Sequence, residues 1–150
     1  MKRAITRFAS ILISICFFAG NTFAAESKPN YQLIRKTQFE IQSGITVEAT
    51  EYTIEQSASN KTATKKMSYK SGGTTIATIT VTATFRYTGS SVTVVTKSYS
   101  KTVYNGWAFS KSSFSASGGK VALKGSLNKN GEGSVPTSIS ITCDKNGHIS

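Results

Sequence analysis

The sequence predicts an all-β chain: a single antiparallel β-sandwich, immunoglobulin-like, of about seven to eight strands. Three observations predict it. Val, Ile, Thr, Tyr and Phe dominate the apolar runs, and these residues suit a pleated, half-buried surface. Turn signals punctuate the chain at residues 71–73, 88–91, 104–107, 117–119, 128–133 and 144–148, with only two prolines in the whole sequence. Between them apolar and hydroxyl residues alternate with period two, most clearly in "TTIATITVTATFRYTG" at 74–89.

Taken in order, residues 31–41 read as a first strand. Residues 45–56 read as a second, although Glu48, Glu51 and Glu55 also fall at helical spacing, so a short helix competes there. Residues 63–69 pair through Gly72-Gly73 with a long strand at 75–87. In that strand Ile79, Val81, Ala83, Phe85 and Tyr87 share one face, and Thr78, Thr80, Thr82, Thr84 and Arg86 share the other. One face goes to the core and the hydroxyl face to water, where it supports cross-strand hydrogen bonds. Residues 92–103 return from the turn at Gly89. Strands at 107–115, 120–127 and 134–143 complete the set.

The N-terminus has the layout of a secretory signal peptide. Lys2, Arg3 and Arg7 precede an apolar run from Phe8 to about Gly20, and Thr22 and Ala24 supply small residues for cleavage. The run is short for a membrane-spanning helix. The expected division is a signal at 1–24 and a secreted domain at 25–150. Cys16 is preceded by Ile15, which argues against a lipid anchor. Removing the leader lowers the formal charge from +11 to +8 and leaves Cys143 as the one cysteine. It alternates with Ile139 and Ile141, so it is expected inside the core as a small hydrophobe.

The remaining charge is unevenly placed. Residues 25–55 carry five Glu against three basic residues, whereas 56–131 carry eleven Lys or Arg and no acid. Such a field attracts polyanions, whether nucleic acid, acidic lipid or anionic cell-wall polymer, and the sequence holds no specific nucleic-acid motif. Lys65, Lys66, Arg86, Lys97 and Lys101 are the candidate polyanion-binding residues. High charge also keeps an exported protein soluble without any partner. Lys97, Lys101 and Lys111 interleave with aromatics in the manner of a single-strand-binding surface, but Phe85, Phe109, Phe114 and Trp107 are expected chiefly in the core.

Chemistry is poorly represented. Asp144 and His148 are the one Asp and the one His, both near the C-terminus in a turn. No metal-ligand spacing, nucleophile elbow or phosphate-binding loop is present in the sequence. No enzyme, cofactor or metal is expected, and a glycosidase built on Glu40, Glu48, Glu51, Glu55 or Glu132 has no motif behind it. The leading reading is a secreted, non-enzymatic binding protein. The alternative is a membrane-active toxin or bacteriocin-like protein using residues 74–103 as an amphipathic hairpin.

The segments "YKSGGTTIATITVTATFRYTGSS" (69–91), "GWAFSKSSFSASGG" (106–119) and "ISITCDKNGHIS" (139–150) carry a resemblance. They resemble uncharacterised small secreted Ser/Thr-rich β-sandwich proteins of Gram-positive, Clostridia-like bacteria. The resemblance implies fold and export and brings no catalytic residues. It also implies a second cysteine after the 88–91 turn, which this chain lacks.

Overall fold

The computed structural model describes residues 30–42 and 44–150. The signal segment 1–24 lies outside the described residues. Eight strands follow one another: β1 (Gln32–Gln42), β2 (Ile45–Ser57), β3 (Asn60–Ser71), β4 (Thr74–Tyr87), β5 (Val92–Val103), β6 (Ala108–Ser117), β7 (Lys120–Lys129) and β8 (Gly133–Thr142). All pairings are antiparallel, and no helix occurs among the described residues. The helical competitor at Glu48, Glu51 and Glu55 is resolved in favour of strand β2, which pairs along its length with both β1 and β3.

The strands divide into two sheets, β1-β2-β3-β4-β5 and β6-β7-β8. Within each sheet every strand pairs with its sequence neighbour, a simple meander. The turn at Gly72-Gly73 joins β3 to β4 with φ of 54° and 83°, the left-handed pair that two-residue hairpins of this twist require. Asn105-Gly106 has the same signature, with φ of 55° and 77°. Yet it leads the chain from one sheet into the other, because β6 pairs with β7 and not with β5.

The core lies between the sheets. Ile45, Val47 and Ala49 of β2, Ala63, Met67 and Tyr69 of β3, and Ile79, Val81, Ala83 and Phe85 of β4 come from one side. Phe109, Val121, Leu123, Leu127, Val135, Ile139 and Ile141 come from the other, with Trp107 and Cys143 closing the ends. Alternation alone explains these positions, since residues i and i+2 of a strand share a face. Cys143 is buried as expected, and Phe85, Trp107 and Phe109 are core residues, with Phe114 packed half-buried against them.

The opposite face of the larger sheet carries hydroxyls. Thr62 bonds Thr84 at 2.8 Å and Thr64 bonds Thr82 at 3.1 Å across β3 and β4. The threonine face therefore turns away from the core, as its alternation predicts.

In β7, Gly125 faces inward between Leu123 and Leu127. A Cβ there would meet Ser110 O at 2.5 Å and the Phe109 ring at 2.6 Å. The Phe109 ring fills the space that a side chain would need. The partner strand carries a bulge between Lys111 and Ser113 at the same level.

Candidate functional site

The acidic N-terminal part folds back on the basic body. Glu48 lies 3.0 Å from Lys36 and 3.4 Å from Lys70, and both lysines hold its carboxyl below the usual range, Lys36 most. Glu55 lies 3.8 Å from Lys61. Charge that is segregated along the sequence is thus paired across β1, β2 and β3.

Glu51 is the unusual member. It shares the inward face of β2 with Val47 and Ala49, and its side chain is 5% exposed. In register with it stand Arg35 of β1 and Lys65 of β3. The Lys65 ammonium contacts Oε1 directly, while Arg35 Nε is 3.9 Å from Oε2. Neither carboxylate oxygen accepts a hydrogen bond of normal geometry. The group borders a cavity of about 150 Å³ that is also lined by Met67, Ser138 and Ser140. A buried pair in this arrangement is held by mutual Coulomb attraction against desolvation. It is an ionic staple beneath the sheet.

A second assembly closes the side where the chain changes sheets. At residues 97–103, β5 presents Lys97, Tyr99, Lys101 and Val103 to the same side as Ala83, Val81, Ile79 and Ala77 of β4. Lys97 Nζ donates to Phe114 O at 2.8 Å, and Lys101 Nζ donates to Phe109 O at 3.0 Å. Each ammonium also sits over the ring of the residue whose carbonyl it holds, at 4.7 Å for Phe114 and 5.4 Å for Phe109. Tyr99 lies edge-on to both rings, at 5.2 Å from Phe114 and 6.4 Å from Phe109, and Lys111 reaches over Tyr99 at 5.7 Å. Three lysines and three aromatic rings therefore interleave along the β5–β6 seam. No ion pair joins Lys97, Lys101 or Lys111 to a carboxylate among the described residues.

The five sequence-derived candidates do not share one surface. Lys97 and Lys101 meet at the seam. Lys65 points inward to Glu51. Lys66 and Arg86 lie on the hydroxyl face, where Lys66 pairs with Thr80 and Arg86 stands six residues further along β4, about 20 Å away at strand spacing. Lys111 joins the seam and was legible only as part of the aromatic interleaving.

The seam also bears on the 74–103 hairpin. Its apolar face, built from Ile79, Val81 and Ala83, carries Lys97 and Lys101 on the adjoining strand. A lipid-facing ammonium near the bilayer midplane costs about 2–4 kcal/mol. Among the described residues no helix is long and apolar enough to cross a membrane, which leaves strand-built barrels untouched.

Asp144 and His148 form a local turn. Asp144 Oδ1 accepts from the backbone N–H of Asn146 at 2.8 Å and of His148 at 2.9 Å, and Oδ2 lies 2.9 Å from His148 Nδ1. The backbone bond from His148 is the chief reason the Asp144 carboxyl is held down at about 2. Both side chains are largely in solvent, and the carboxylate is consumed in ordering the turn.

With this geometry in view, no family model, curated protein or solved structure matches the chain. The architecture and the seam define it only as an antiparallel two-sheet protein with a lysine–aromatic strip.

Proposed function

We propose that this is a secreted, non-enzymatic protein that binds anionic cell-surface polymer along the β5–β6 seam. The observation that carries the reading is the trio Lys97, Lys101 and Lys111, aligned over aromatic rings without a carboxylate partner. An ammonium has three donors. Lys97 and Lys101 each commit one to a β6 carbonyl and keep charge and donors for a phosphate or carboxylate. The apolar underlay lowers water access and strengthens charge contacts relative to open solvent.

A non-catalytic role is supported by how the acids are used. Glu48, Glu51 and Glu55 are committed to ion pairs, and Asp144 to its own turn. Export rests on the leader-like order of residues 1–24. The two meanders packed face to face are read as a two-layer β-sandwich. The immunoglobulin-like likeness extends to the paired antiparallel layers and not to the order of the strands.

The test is cosedimentation of the protein with Gram-positive cell walls, intact and stripped of teichoic acid, at low and high salt. Pelleting that needs the acidic polymer and fades with salt supports the proposal. The triple change Lys97→Gln, Lys101→Gln, Lys111→Gln is expected to abolish it, whereas Lys66→Gln with Arg86→Gln leaves most of it. Equal pelleting by the triple variant would move the site elsewhere, and no pelleting at all would remove the reading.

A further inference from the structure

We propose that β1 is a self-association edge, pairing antiparallel with β1 of a second copy in a register centred on Gln38. Among the described residues there are four sheet edges, and three of them are protected. Lysines from β5 cover the carbonyls of β6, so those two edges shield each other. The β8 edge carries Pro136, which lacks an N–H and blunts pairing. Among the described residues β1 has no such cover. It is the outer strand of the larger sheet, and its residues are exposed along almost the whole length. Open edges of this kind pair with other chains unless blocked.

The exposed large hydrophobic residues concentrate here. Tyr31, Leu33, Ile34 and Phe39 are 56%, 56%, 39% and 43% exposed, on or beside β1, against only Val95 and Tyr104 elsewhere among the described residues. Phe39 stands on the inward face, where β8 packs over β3 and not over β1, whereas Tyr31 and Leu33 lie on the opposite face beside Tyr52. Bulges interrupt the strand between Leu33 and Arg35 and between Glu40 and Gln42, so residues 35–40 form one regular run.

The charges on that run select both the partner and the register. Lys36, Gln38 and Glu40 share the face opposite the core, and Arg35, Thr37 and Phe39 share the other. A two-fold axis at Gln38 places Lys36 opposite Glu40 of the partner copy, twice by symmetry, and sets Thr37 against Phe39 on the inner side. An axis at Thr37 or Phe39 pairs neither charge with its opposite. Lys36 already lies 3.0 Å from Glu48, and Glu40 Oε1 accepts from the Gly44 N–H at 2.9 Å. Both side chains lie on the face opposite the core, and in this register the ammonium and the second carboxylate oxygen of the two copies face each other across the new ladder. Opposite charges placed directly across a ladder stabilise it, and like charges destabilise it.

The experiment is sedimentation velocity on the protein expressed from its full coding sequence, from micromolar to hundred-micromolar concentration. A concentration-dependent dimer is expected. Lys36→Glu places two carboxylates opposite each other and Glu40→Lys two ammoniums, so each single variant should dimerise at least tenfold more weakly. Mixing the two variants, or combining both changes in one chain, recreates the complementary pairs and should restore the dimer. This rescue also separates a specific loss of pairing from local unfolding. A monomeric wild type across the range, single variants that dimerise like wild type, or mixtures that stay monomeric would each overturn the proposal.

Discussion

Replacing Lys65 by Met isolates the energetics of the buried ion pair. The change keeps an unbranched apolar stem and deletes the ammonium. Glu51 is then left on the inner face beside a cavity of about 150 Å³. Its remaining cation is Arg35, 3.9 Å away on a side chain that is 57% exposed. Removing one partner of a buried pair costs about 3–5 kcal/mol because the other charge stays behind. Lys65 is itself 21% exposed, so water can reach its end of the pair, and a loss of about 2–3 kcal/mol is expected. For a domain of this size that corresponds to a fall of roughly 8–15 °C in Tm. Urea unfolding at neutral pH reads the difference directly, with an unchanged slope showing that the same transition is followed. The double variant Glu51→Leu, Lys65→Met removes both charges and should lie within about 1 kcal/mol of wild type or above it. A single Lys65→Met variant within about 0.5 kcal/mol of wild type would place the pair among ordinary surface contacts. A double variant weaker than that single one would show that the carboxylate serves something other than Lys65.

Three further outcomes follow from named contacts. Cys143 is buried, and burial chiefly pushes its thiol up, so a thiol reagent should label it slowly in the folded protein and completely after unfolding. Gly125→Ala should cost about 1–3 kcal/mol by urea unfolding, because its Cβ would overlap Phe109 and Ser110. Asp144 is depressed from 3.8 to about 2 in the fold, so its contribution is complete above 3.8 and is lost as pH falls through about 2. The amide resonances of Asn146 and His148 should titrate together with a midpoint near 2, and Asp144→Asn should abolish that titration while leaving the rest of the spectrum in place.

Strand identities were legible because alternation survives on both sheets. The 74–87 run shows the rule most clearly, and its threonine ladder stands where period two puts it. The same rule held the key to Glu51 and Lys65, since Glu51 shares parity with Val47 and Ala49, and Lys65 with Ala63, Met67 and Tyr69. Charge type points the other way, because a lysine is rarely buried unless paired, so Lys65 reads from sequence as a surface residue. Lys97 and Lys101 are harder. A bulge beside Val95 shifts parity within β5, aligning Val94 and Lys97 inward although an odd separation divides them. Nothing in the local sequence marks that extra residue. Nor does Asn105-Gly106 announce a change of sheet, because its backbone chemistry is that of a hairpin. Where the chain leaves one sheet for the other is decided by the packing of distant strands, β7 and β8 against β4, and no short window contains that information.

The meander order has a consequence for how the chain folds. Within each sheet a strand pairs with its immediate sequence neighbour, and β6, which opens the second sheet, waits only for β7, so no ladder waits for a distant segment. A chain emerging N-terminus first can add β1 through β5 in sequence, with short loop closures at every step. Until β6, β7 and β8 arrive, however, Ile79, Val81 and Phe85 stand on a bare apolar sheet face. The last third of the sequence thus acts as the lid on an otherwise finished sheet. A chain cut short after β5 would keep its pairing instructions and lose the layer that covers its apolar face.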